Sequence, residues 1–158
     1  MNTADLQKAI DNLQIQDVYL RNITAKCSEG FEPKYTDEID TLDVQQMHLV
    51  KEASIVEVSD IGRLLCVNIS LGIRWVDTND QVKAIIEADF VAEYLIKSEL
   101  DKNCIDEFAL KNASYHVWPF WRELLANQTT RMHLPRLILP AWQLAHNRHQ
   151  DTEVSEEN

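Results

Sequence analysis

Residues 112–142 read NASYHVWPFWRELLANQTTRMHLPRLILPAW, with three of the chain's four tryptophans (Trp118, Trp121, Trp142) and three of its four prolines (Pro119, Pro135, Pro140). Proline is tolerated in the first turn of a helix, where its missing N–H would have no partner in any case, so Pro119 predicts a helix start. Trp118, Trp121, Leu125 and Met132 then recur at i, i+3, i+7 and i+14, one face of that helix. Leu134-Pro135 ends it, because the residue before a proline is pushed out of the helical region. Leu137, Ile138 and Leu139 follow as a short extended apolar run closed by Pro140. Upstream, helical periodicity resumes at Asn103, a cap candidate with Asp106 in the first turn, and Ile105, Phe108, Ala109 and Asn112 share a face.

Before this helical region the period is two. Leu65, Val67, Ile69, Leu71, Ile73 and Trp75 alternate with Cys66, Asn68, Ser70, Gly72 and Arg74. Beyond the turn Asp77-Thr78-Asn79-Asp80, a second alternation carries Val82, Ala84, Ile86, Ala88, Phe90, Ala92, Tyr94 and Ile96 against Lys83, Glu87, Asp89, Glu93 and Lys97. These are two half-buried antiparallel strands in a hairpin. A less regular strand is expected at 47–58 and another at 14–27, preceded by a short helix capped by Thr3 with Leu6, Ile10 and Leu13 on one face. In the 14–27 strand Ile15, Tyr19 and Ile23 fall on one face and Val18 and Leu20 on the other, so both faces want cover, one from a partner subunit. Four strands and then helices give the fold class α+β: a four-stranded antiparallel sheet with C-terminal helices packed on one face.

Residues 28–46 read as a long loop with six acids (Glu29, Glu32, Asp37, Glu38, Asp40, Asp43) against the single base Lys34, punctuated by Phe31, Tyr35, Ile39, Leu42 and Val44. Loops of this length are often functional. At 158 residues the chain is expected to form one domain over 1–145, with a disordered acidic tail at 146–158.

Composition narrows the function. A net charge of −11 opposes nucleic-acid binding, which needs phosphates neutralised by Lys and Arg. Three glycines leave no Gly-rich phosphate cradle. Cys27, Cys66 and Cys104 are odd in number and widely spaced, so no disulfide framework or metal knuckle is read. No signal peptide or membrane span is read, and the expected compartment is the cytoplasm. His146-x-x-His149 lacks supporting ligands for a metal site, and Cys104 with His116 lacks the orienting third group of a nucleophile pair, so no catalysis and no cofactor are expected. The aromatic surplus of 112–142 exceeds what one helix face needs and asks for a partner or ligand to cover it. A groove for unfolded chains and a large oligomer interface explain it equally.

Pro119-Phe120-x-Arg122-Glu123, with Arg131, Leu134-Pro135 and the apolar run to Pro140, resembles the helix and Pro-interrupted segment of the SecB family of export chaperones. That likeness covers 106–142. The opening Gln14-Ile15-Gln16-Asp17-Val18-Tyr19 is similar to the start of the family's first strand, and between the two only strand order and length agree. The resemblance implies a homotetramer built as a dimer of dimers, with helices at the tetramer interface. It implies a cytosolic, ATP-independent holdase that keeps precursors unfolded for the translocase motor SecA. Its client groove would lie between the 28–46 loop and the signature helix, with Phe31, Tyr35, Ile39, Trp118, Trp121, Leu125 and Trp142 as apolar contacts. The implied partner-docking positions are Ile85 and Glu87. Asn22 and Lys26 stand where translocase-coupled members carry acids, so half of that docking charge is missing. SecB-like proteins dedicated to the antitoxin of a toxin–antitoxin pair, and a non-catalytic structural oligomer, are the alternatives.

Overall fold

A computed structural model describes residues 3–137 and 139 of the chain. The elements run α1 (Thr3–Asn12), β1 (Leu13–Cys27), a single 3-10 turn (Ile39–Thr41), β2 (Asp43–Val58), β3 (Gly62–Val76), β4 (Val82–Ile96), α2 (Lys102–Lys111) and α3 (Ala113–Arg131). The strands form one antiparallel sheet in the order β1-β4-β3-β2. The α+β architecture is therefore the expected one. Two tight hairpins build three of the strands. Asp60 and Asp80 adopt the left-handed conformation in their turns, where a short polar side chain is tolerated. At the second turn Asp77 Oδ1 accepts from the backbone N–H groups of Asn79 (2.8 Å) and Gln81 (2.9 Å).

β1 joins the sheet at the edge opposite β2, so residues 28–42 cross the ends of β4 and β3, about three strand spacings or 14 Å. The crossing starts with the Ser28 N–H donating to Lys83 O at 2.8 Å. Pairing with β3 recruits 43–46 into β2, so the loop is shorter than its acidic composition predicts. Ladder hydrogen bonds outweigh the low strand propensity of a charged residue such as Asp43.

The period-two rows of β3 and β4 become the core floor, from Leu65 to Trp75 and from Ala84 to Tyr94. Helices cover this face. Tyr94 meets Phe108 of α2 edge-on at 4.7 Å between ring centroids, and its hydroxyl lies 2.9 Å from His116 Nδ1 of α3. His48 Nε2 on β2 lies 2.6 Å from Ser114 Oγ, tying the start of α3 to the far edge of the sheet. The buried Thr129 hydroxyl donates to Leu125 O within its own helix at 2.9 Å.

Three local expectations are corrected. α2 is capped by Asp101, whose side chain accepts from the Cys104 N–H at 3.0 Å, not by Asn103. Pro119 stands inside α3 rather than in its first turn, because the helix already begins at Ala113. The missing N–H falls against the carbonyl of the exposed Tyr115, which water can satisfy. The third correction concerns β1. Register shifts between Ile15 and Asp17 and between Leu20 and Asn22 insert bulges, so Ile15, Val18, Leu20 and Ile23 pair with Tyr94, Ala92, Phe90 and Ala88. All four lie on the helix-covered face, and Tyr19, opposite Val91, lies on the other.

The end of α3 needs no glycine. His133 takes φ 57, the Leu134 N–H donates to Thr129 O at 3.0 Å and the His133 N–H to Thr130 O at 3.4 Å. This is a Schellman closure, with buried Leu134 as its apolar contact.

Candidate functional site

The aromatic helix contributes chiefly to the interior. Trp118, Trp121 and Leu125 join Phe31 in one buried cluster, with Ile39 packed against it. Trp121 and Leu125 are each 1% exposed, and Phe31 from the crossover loop is 5% exposed. Five of the seven apolar positions marked by the sequence therefore come together as packed core. Tyr35 is different: it is 78% exposed, with Lys34 Nζ 5.3 Å from its ring centroid. Trp142 lies outside the described residues, as do His146, His149 and the 146–158 segment.

Accessible apolar surface lies on both edge strands: β2 exposes Val44 (39%), Met47 (40%), Leu49 (51%), Ile55 (42%) and Val56 (43%), and β1 presents a second set. Ile15, Leu20 and Ile23, brought to the helix side by the two bulges, remain 44%, 41% and 37% exposed. They line the open edge of the sheet, and Ile10 of α1 is exposed near their start. From Ile15 to Ile23 the strip runs about 25 Å at the usual rise per strand residue. It leads through Cys27 into the crossover loop, where Gly30, Phe31, Glu32, Tyr35, Thr36 and Glu38 border a cavity of about 430 Å³ with Lys83. The signal that marked this strip was present in the sequence as the two-sided apolarity of β1. What concentrated it on one side was the bulges.

The opposite face of the sheet mixes exposed apolar residues, Tyr19, Met47, Leu49 and Val56, with paired charges. Ile85 and Glu87 border a cavity of about 510 Å³ with Lys26, Glu29, Arg74 and Lys83. Glu87 is 3.6 Å from Arg74, and Asp89 is 3.3 Å from Lys51 while accepting a hydrogen bond from Ser70. The Ser70 hydroxyl and then Lys51 hold Asp89 below the usual carboxylate range. Asn22 faces Asp89 and Lys26 faces Ile85, so neither adds a negative charge to this face. Gly72 is closely covered here: a Cβ would come within 3.2 Å of both the Glu87 and Met47 side chains.

The groups with conventional catalytic chemistry are engaged separately. Cys104 is buried between α1 and α2 with Sγ 3.8 Å from Asp5 Oδ1, and burial pushes its thiol up. His116 is held by Tyr94, and burial lowers its pKa. Among the described residues no group of three potential ligands is placed to hold a metal ion, and no helix is long and apolar enough to cross a membrane.

No family model and no curated protein matches the sequence. Among solved structures the fold is similar to a SecB-like chaperone of Mycobacterium tuberculosis, solved in complex with a ChAD peptide from the HigA1 antitoxin. The TM-score is 0.70 at 19% identity, covering 89% of this chain and 98% of that one. A protein of unknown function from Streptococcus agalactiae aligns over 81% of this chain and 96% of its own, but its TM-score of 0.32 at 11% identity carries no argument. The architecture is thus SecB-like, at a sequence distance consistent with a divergent chain.

Proposed function

We propose that this protein is a chaperone that holds a non-native polypeptide segment without ATP, cofactor or catalysis. The observation that carries the reading is the apolar strip of Ile15, Leu20 and Ile23 on an open strand edge, ending at the loop that presents Tyr35. Apolar side chains in a row can accept many sequences, because burial of apolar area is non-directional. The free backbone groups of an edge strand can fix an extended chain whatever its side chains. The likeness to a chaperone solved with an antitoxin peptide supports a polypeptide ligand. An antitoxin or another dedicated client fits better than delivery to SecA, because the face carrying Ile85 and Glu87 has Asn22 and Lys26 beside it and pairs Glu87 with Arg74. Cytoplasmic location and assembly as a dimer of dimers belong to the same reading.

Amide hydrogen exchange in the presence of an unfolded polypeptide tests it. Added protection should concentrate at the β1 edge and in residues 28–42. Protection confined to the β2 edge or to the face that carries Glu87 would contradict the assignment.

A second reading is favoured by Tyr19, which is exposed on the other side of β1. An edge strand apolar on both faces suits contact between copies of the chain. In that case the β1 edge would be protected in the protein alone, in proportion to its concentration.

A further inference from the structure

Away from the β1 strip, the outer side of α3 meets the segment after its Schellman turn and encloses a cavity of about 330 Å³. Its apolar lining comes from Pro119 and Ala126 of α3 and from Leu137 and Leu139 of the segment. Two guanidinium groups, Arg122 and Arg136, complete it. Among the described residues neither arginine forms an ion pair. The one carboxylate in the lining, Glu123, accepts instead from Asn127 Nδ2 at 2.6 Å. What sets this cavity apart is that two guanidinium groups converge on one apolar lining in a chain of net charge −11.

We propose that this cavity is a second subsite for the bound polypeptide, one that takes an acidic side chain next to a bulky apolar residue. The inference rests on the polypeptide-binding reading and adds a sequence preference to it. Arg122 and Arg136 would each donate charge-assisted hydrogen bonds to a client carboxylate, a geometry that the planar guanidinium favours. The neighbouring client side chain would fill the space between Pro119, Ala126, Leu137 and Leu139. Pro119 contributes directly: inside α3 it replaces a polar N–H with a flat apolar ring on the exposed side of the helix. The chain's own acids past residue 150 are the competing occupant. They are accompanied by Val154 alone as an apolar residue, a poor match to a four-sided apolar lining.

The test is fluorescence anisotropy with the full chain and two labelled synthetic peptides. Both carry the same leucine-rich sequence, one with a pair of aspartates and the other with asparagines in their place. The aspartate peptide should bind about fivefold to tenfold more tightly at low salt, and the advantage should shrink as salt screens it. The double variant Arg122→Gln, Arg136→Gln should erase that advantage, so that the two peptides bind the variant alike; a preference that survives in the variant would overturn the assignment of these arginines. Equal binding of the two peptides to the wild type would overturn the subsite and leave polypeptide binding standing. Failure of both to bind would remove the reading beneath it. Neutralising the tail in the full chain (Asp151→Asn, Glu153→Gln, Glu156→Gln, Glu157→Gln) provides the last arm. If the aspartate preference emerges only in that variant, the native occupant is the chain's own end and the proposal is overturned.

Discussion

Replacing Trp121 with alanine separates a core tryptophan from a ligand-contacting one. The side chain is 1% exposed and belongs to the cluster that joins α3 to the sheet. A buried tryptophan removes roughly 200 Å² from water, which at about 25 cal/mol per Å² sets an upper value near 5 kcal/mol. Part of the vacated space closes and alanine keeps some burial, so the expected loss is about 3–5 kcal/mol, the range for Trp→Ala in cores. For 158 residues this corresponds to roughly 10 °C in Tm. Urea unfolding followed by circular dichroism measures it, with the midpoint falling and the slope m unchanged. Tyr35→Ala is the control: at 78% exposure it should alter stability by no more than about 0.5 kcal/mol. If Trp121→Ala moved the midpoint no more than Tyr35→Ala does, the packing of α3 described here would be refuted.

Three further outcomes follow from the same geometry. Leu20→Asp with Ile23→Asp puts two charges into the β1 strip and should weaken binding of an unfolded polypeptide at least tenfold while leaving the far-UV spectrum intact, since both residues are more than a third exposed. His133→Gly removes the strain of a left-handed non-glycine residue at the end of α3 and should raise stability by about 1 kcal/mol, read as a higher urea midpoint. His116 has its pKa lowered by burial, so the unfolded chain binds more protons than the folded one below the ordinary value near 6.5. Stability should therefore fall as pH drops through and below 6.5, and His116→Gln should flatten that part of the profile relative to wild type.

The β3–β4 hairpin was legible because strict alternation has one structural solution when a single face is buried. The helical region was legible for a similar reason: Trp118, Trp121 and Leu125 recur at helical spacing in α3 and are buried, as are Ile105, Phe108 and Ala109 in α2. β1 was located correctly but its faces were not. Two bulges change the pairing at Ile15/Asp17 and Leu20/Asn22, and nothing in the local sequence marks them. That error matters, since the corrected register gathers Ile15, Leu20 and Ile23 into the accessible strip. Pro119 misled in another way. It is favoured at a helix start, yet it sits inside one, because burial of Ala113, Val117 and Trp118 extends the helix back to Ala113. The aromatic surplus was also real, but most of it is consumed internally: Phe31 reaches across from the crossover loop to join the tryptophans of α3. Sequence shows which residues are apolar and at what spacing. Which of them the chain covers for itself depends on contacts between elements distant in sequence, such as that of Phe31 with the core.

The most direct measurement is calorimetric titration of the protein with one polypeptide presented in two forms, natively folded and trapped unfolded. The account predicts heat of binding for the unfolded form alone, with a negative heat-capacity change from burial of the β1 strip. Equal binding of both forms, or none by any of several unfolded chains and by an antitoxin peptide, would contradict it.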